Sequence, residues 1–127
     1  MHSVNGQAIM LGPNQSGTVT GNTVSQAQGG IGLQSSGPNV KVTTNNISST
    51  QNAISINSVT GAIVQSNSLI NTYNQAISIQ DHSAGGSNNI TKNTINEGQC
   101  GISINNAASS DVFLPNTVLN VAATTCP

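Results

Sequence analysis

The sequence predicts an all-β chain wound as a right-handed parallel β-helix, a solenoid of about five coils of about 23 residues with a ladder of asparagines. Three observations carry this. An asparagine recurs in the same slot of Val19-x-x-Asn22-x-Val24, Val42-x-x-Asn45-x-Ile47, Val64-x-x-Asn67-x-Leu69, Ile90-x-x-Asn93-x-Ile95 and Phe113-x-x-Asn116-x-Val118, at steps of 23, 22, 26 and 23 residues. A second motif keeps the same beat: Ala8-Ile9-Met10-Leu11, Gly30-Ile31-Gly32-Leu33, Ala53-Ile54-Ser55-Ile56, Ala76-Ile77-Ser78-Ile79 and Gly101-Ile102-Ser103-Ile104. Within each copy apolar residues alternate with small polar ones, the period of a short half-buried strand. A fixed period with fixed slots means stacked repeats. Parallel crossovers are overwhelmingly right-handed, which sets the hand.

Each element then has its reason. The chain is a single domain, 1–127, with coils near 8–24, 30–47, 53–69, 76–95 and 101–118 and a tail at 119–127. Three short strands are expected per coil: the Ala/Gly-Ile-x-Ile piece, a piece ending three residues before the asparagine, and a piece starting two after it. No 3.6-residue apolar stripe calls for a helix. One inner wall is built from Ile9, Leu11, Ile31, Leu33, Ile54, Ile56, Ile77, Ile79, Ile102 and Ile104. Each such side chain contributes roughly 1.5–3 kcal/mol when fully buried. Asn22, Asn45, Asn67, Asn93 and Asn116 are expected to stack, bonding amide to amide and taking the left-handed conformation of a tight turn.

Composition narrows the possibilities. Only 4% of residues are charged and 2% aromatic, with no arginine and no tryptophan, while 35% are hydrophobic. Periodic apolar content of that size argues against disorder. A net charge of −1 gives no footprint for phosphate, so nucleic acid is not an expected partner. No apolar run approaches the roughly 18 residues of a membrane span. The start, Met1-His2-Ser3-Val4-Asn5, shows no basic region followed by an apolar segment. With the first repeat beginning almost at once, upstream coils of the same protein are expected.

The slots Val-x-x-Asn-x-[Ile/Val/Leu] and [Ala/Gly]-Ile-x-[Ile/Leu] resemble the repeats of the right-handed parallel β-helix, or pectin-lyase-like, superfamily over about residues 8–118. The resemblance implies the fold and its hand. It leaves activity open, since the scaffold carries many functions. Members include polysaccharide lyases, hydrolases and epimerases that work with clustered carboxylates, calcium, and arginine or lysine.

The ionisable side chains here are His2, Lys41, Asp81, His82, Lys92, Glu97 and Asp111. No two acids fall at equivalent slots of adjacent coils, as the paired carboxyls of glycoside hydrolysis require. No catalytic residue is therefore assigned, and no cofactor or metal is expected. Lys41 and Lys92 read as edge-protecting charges, and Glu97 as a solvated turn residue. Gly85-Gly86 reads as a flexible turn without phosphate-loop spacing.

One segment departs from the repeat. Gln80 to Asn89 lengthens the connection and holds the only Asp-His pair, Asp81-His82. Irregular insertions on solenoids often mark binding faces, although a longer solvated turn explains the same residues. Tyr73, the only tyrosine, enters the same coil from the other side. Between them a flat outer strip of Ala53, Ser55, Ala76, Ser78, Gly101 and Ser103 is expected, with Tyr73, Asp81, His82, Ser55, Ser78 and Ser103 as the ligand-binding residues of a sugar chain. Cys100 and Cys126 fall near the same slot of successive coils, which predicts a disulfide and an oxidising compartment: secreted, cell-surface or periplasmic.

Three functions fit. The chain is a polysaccharide-binding or structural part of a carbohydrate-directed protein; or the C-terminal half of a lyase or epimerase whose chemistry lies in other coils; or a structural surface or adhesin shaft. Ice binding wants an unbroken threonine row, and Thr20, Thr43 and Thr91 are interrupted by Gln65 and Leu114.

Overall fold

A computed structural model of the chain describes residues 4–13, 15–34, 39–80, 87–105, 111–113 and 115–126. Eleven strands follow one another: β1 (Val4–Leu11), β2 (Gly17–Thr20), β3 (Thr23–Ser25), β4 (Ala27–Gln34), β5 (Val40–Thr43), β6 (Asn46–Asn57), β7 (Ile63–Gln65), β8 (Ser68–Gln80), β9 (Asn89–Thr91), β10 (Thr94–Asn105) and β11 (Thr117–Cys126). Every pairing between them is parallel. One sheet runs β1-β4-β6-β8-β10-β11, with β3 also pairing β6; the other runs β2-β5-β7-β9.

The winding makes about four full turns rather than five. The first and last passes are partial, and above β9, among the described residues, the smaller sheet continues as a bridge between Asn89 and Val112. The expected tail is strand instead: β11 runs to Cys126 in register on β10.

The coil also has two sheets where three separate strands were expected. The piece after each asparagine runs straight into the next Ile-x-Ile piece, as in β6, β8 and β10. The corner between them is made by one residue in the left-handed region, four after each asparagine: Gln26, Ser49, Asn71, Glu97 and Asn120, with φ from 54° to 66°. Only at Gln26 does the corner interrupt the strand, separating β3 from β4.

The inward rows match the expected wall. Ile31, Ile54, Ile56, Ile77 and Ile79 are buried, joined from the other faces by Val24, Ile47, Leu69, Ile95, Val42, Val64 and Ile90. Ile9, Leu11 and Ile104, towards the ends of the stack, are only partly covered.

The asparagine ladder closes its hydrogen bonds completely at its centre. Asn67 Oδ1 accepts from the backbone N–H of Asn45 at 3.0 Å and from Asn45 Nδ2 at 2.9 Å. Asn67 Nδ2 donates to Val42 O at 2.9 Å and to Asn93 Oδ1 at 2.9 Å. The same set repeats from Asn22 to Asn116. Buried amides persist because both donors and both acceptor positions are filled.

The conformational reason given for these asparagines is corrected. Before four of the five the left-handed residue is the preceding one, Gly21, Thr44, Ser66 and Lys92, with φ between 55° and 68°, while Asn116 follows Pro115. The asparagine itself is kept for its side-chain amide.

Threonines 50 and 72 face each other in register inside the core, and their hydroxyls have no partner among the described residues. An unmade hydrogen bond of a buried group costs about 1–3 kcal/mol, and valine has nearly the same shape. Thr72→Val is therefore expected to raise stability by about 1 kcal/mol, read as a higher urea midpoint at unchanged slope. A lower midpoint would mean the hydroxyl is satisfied.

Candidate functional site

The outer face of the larger sheet carries the candidate site. Ser55, Ser78 and Ser103 lie in register on β6, β8 and β10, continuing from Met10 and Gly32. Two residues further on, Gln34, Asn57 and Gln80 form a second row in register with the backbone of Asn105. Met10, Gly32, Leu33, Gln34, Ser55 and Asn57 line an open groove at the lower end of this face.

The strip is narrower than expected. Ala53 and Ala76 are fully buried in the core, and Gly101 is buried too. Their slot turns inward at the corner: a Cβ built at Gly30 would meet Ile47 Cγ2 at 2.9 Å, and one at Gly101 would meet Val118 Cγ1 at 2.9 Å. The small residue of the Ala/Gly-Ile-x-Ile motif is thus a packing requirement, and of the expected strip only Ser55 and Ser78 are partly exposed; Ser103, expected to face outward with them, is buried.

Tyr73 is 55% exposed, on β8. Thr72 pairs with Thr50 and Gly98, and Gln75 pairs with Asn52 and Cys100, so β8 carries one more residue here than the strands on either side. This is a bulge, which breaks the regular ladder and re-aims a side chain. Asn52 Oδ1 takes up the N–H of Gln75 at 3.3 Å. Gln51 and Gln99, both exposed, stand opposite the bulge. Asn74 is the other exposed residue of the bulge. Tyr73 and Ser78 are five residues apart, about 16 Å along an extended strand. They are strung along one strand rather than gathered around one point. Asp81 and His82, expected at the far end of the strip, lie outside the described residues, as do Gly85 and Gly86.

The remaining charges have other places. Lys41 is exposed on β5, which lies between β2 and β7, so it guards no sheet edge. Lys92 occupies the left-handed position before Asn93, and Glu97 a corner of β10. Asp111 caps a second ladder that the repeat pattern did not reveal. Its Oδ1 accepts from the N–H and Nδ2 of buried Asn88 at 2.9 and 3.0 Å, and Asn88 Oδ1 accepts from Ala62 N–H at 2.9 Å. Asn88 and Asp111 each stand five residues before a ladder asparagine, a signal available in the sequence. No group of three or more His, Cys, Asp or Glu that could hold a metal is found among the described residues. The smaller sheet bears Thr20, Thr43, Gln65 and Thr91 in register, with Thr43 donating to Thr20 at 3.2 Å and Gln65 to Thr91 at 2.9 Å. Its hydroxyls are thus engaged with one another and interrupted by an amide.

Directly above Cys100 stands Ala123, while Cys126 pairs with Ser103, three positions further along the strand.

These features define a parallel β-solenoid with an internal asparagine ladder. The family model for the right-handed β-helix region matches residues 1–124, and the chain belongs to that family. No curated protein matches, and neither does any solved structure.

Proposed function

We propose that this β-helix domain is a carbohydrate-binding part of a polysaccharide-directed protein, exported to an oxidising compartment, with no complete catalytic site of its own. One observation carries the reading: the single tyrosine is raised at a β-bulge between exposed Gln51 and Gln99, on an outer face that also carries Ser55, Ser78, Asn57 and Gln80, with Met10 exposed at its lower end. An exposed ring offers a stacking surface, and Gln and Ser supply neutral donors and acceptors for sugar hydroxyls. The coils beneath are held by ladders, so this face is presented on a rigid support. Binding is expected to be weak, because one ring and a few polar groups offset little of the ordering loss.

The test is a glycan array probed with the purified chain and with Tyr73→Ala. Binding that depends on Tyr73 supports the reading. An empty array favours the structural shaft, and turnover of a uronate polymer, with or without calcium, favours a lyase or hydrolase.

The oxidising compartment rests on a proposed bridge between Cys100 and Cys126. No cysteine among the described residues is a free thiol, and the chain has only two. Thiol titration of unfolded, unreduced protein should find no free sulfur; two would reject the bridge and the compartment with it.

A further inference from the structure

We infer that the glycan taken at Tyr73 is neutral rather than acidic, an inference that rests on the sugar-binding reading above. It follows from where the charges stand. The strand segments that make up this face, residues 27–34, 50–57, 72–80 and 98–104, contain no charged side chain. Around the ring the exposed neighbours are Gln51 on β6 and Gln99 on β10, each about 4.8 Å away in the stacking direction. Their amides both donate and accept, which matches hydroxyls and gives no advantage to a carboxylate.

The cations of the chain are elsewhere. It has two lysines and no arginine, and Lys41 and Lys92 belong to the smaller sheet and its exit corner. The charge nearest Tyr73 among the described residues is the wrong one for a polyanion. Exposed Glu97 occupies the corner of β10 one coil above Asn71, two residues along the strand from the Tyr73 position. That places it roughly 8 Å away, one Debye length at physiological salt. A uronate chain laid across the bulge would meet this carboxylate, with no cationic side chain among the described residues of this face to neutralise its own. A neutral chain would meet only hydroxyls, amides and the ring.

The chain is suited to a direct test. It has one tyrosine and no tryptophan, so its intrinsic emission reports Tyr73 alone. Purified protein is titrated with cellohexaose and mannohexaose as neutral probes and with hexagalacturonate as the acidic one. Tyrosine emission is followed, and calorimetry is repeated on Tyr73→Ala. The inference expects a neutral probe to shift the emission, Tyr73→Ala to weaken its binding about tenfold or more, and hexagalacturonate to leave both signals unchanged. If hexagalacturonate binds as well as or better than the neutral probes and Tyr73→Ala abolishes it, neutrality is wrong while the sugar site stands. If any probe binds equally well to Tyr73→Ala and leaves the emission unmoved, the site itself is misplaced. If no probe binds, the sugar-binding reading falls, and the inference with it.

Discussion

Asn67→Ala is expected to lower the unfolding free energy by about 3–5 kcal/mol, against an exposed asparagine on the following strand β8, Asn74, whose replacement should stay within about 0.5 kcal/mol. The mutation removes an oxygen that accepts two bonds from Asn45 and an amide that serves Val42 O and Asn93 Oδ1. The groups left behind are buried, so water does not replace what is lost. Each stranded buried donor or acceptor costs about 1–3 kcal/mol. For a domain with about 5–15 kcal/mol in total, that is a large fraction. Urea titration of both variants measures the difference directly. Equal midpoints would mean that the ladder amides contribute no more than surface ones.

Gly30→Val should be comparably damaging for a different reason. A Cβ at Gly30 would lie 2.3 Å from the carbonyl oxygen of Ala53 and 2.9 Å from Ile47 Cγ2. Backbone cannot swing aside as a side-chain tip can, so the coils must separate locally or the strand must bend. Overpacking of this kind typically costs about 1–3 kcal/mol, and contact with backbone puts this site at or above the upper figure. Gly12→Ala is the control, since its Cβ would meet only Gln15 Oε1, at 3.7 Å. Thermal melts showing Gly30→Val as stable as Gly12→Ala would show that the spacing at this corner is slack.

Much of the scaffold was readable because it rests on residue types with one good explanation. A buried amide needs partners at the repeat distance, so Asn22 to Asn116 announced their own stacking. The Ile-x-Ile pairs announced their wall. Other features left no such mark. The left-handed residue before the first four asparagines is Gly, Thr, Ser or Lys, a set with no common chemistry, whereas asparagine is the conspicuous residue of the slot. Alanine serves equally well on an outer strip and in a tight inner corner, which is why Ala53 and Ala76 were placed on the wrong side. The second ladder occupies only the upper coils, because the same slot lower down holds Ala62, Val40 and Gly17. Of the candidate site, Tyr73 was visible as the only tyrosine. The bulge that presents it was not, because one extra residue in a strand and one in a loop look alike in sequence. The two cysteines stand three residues apart in register, the offset already present in their counts of five from Ile95 and eight from Val118.

The central claim, that a continuous chain of side-chain amides inside the coil holds this domain together, is tested most directly by hydrogen exchange of the asparagine side-chain amides, followed by NMR. The account predicts that Asn45, Asn67 and Asn93, buried with their amides fully bonded, exchange at least about a thousandfold more slowly than exposed Asn74, because only sub-global opening frees them. Exchange of Asn67 at the rate of Asn74 would contradict it.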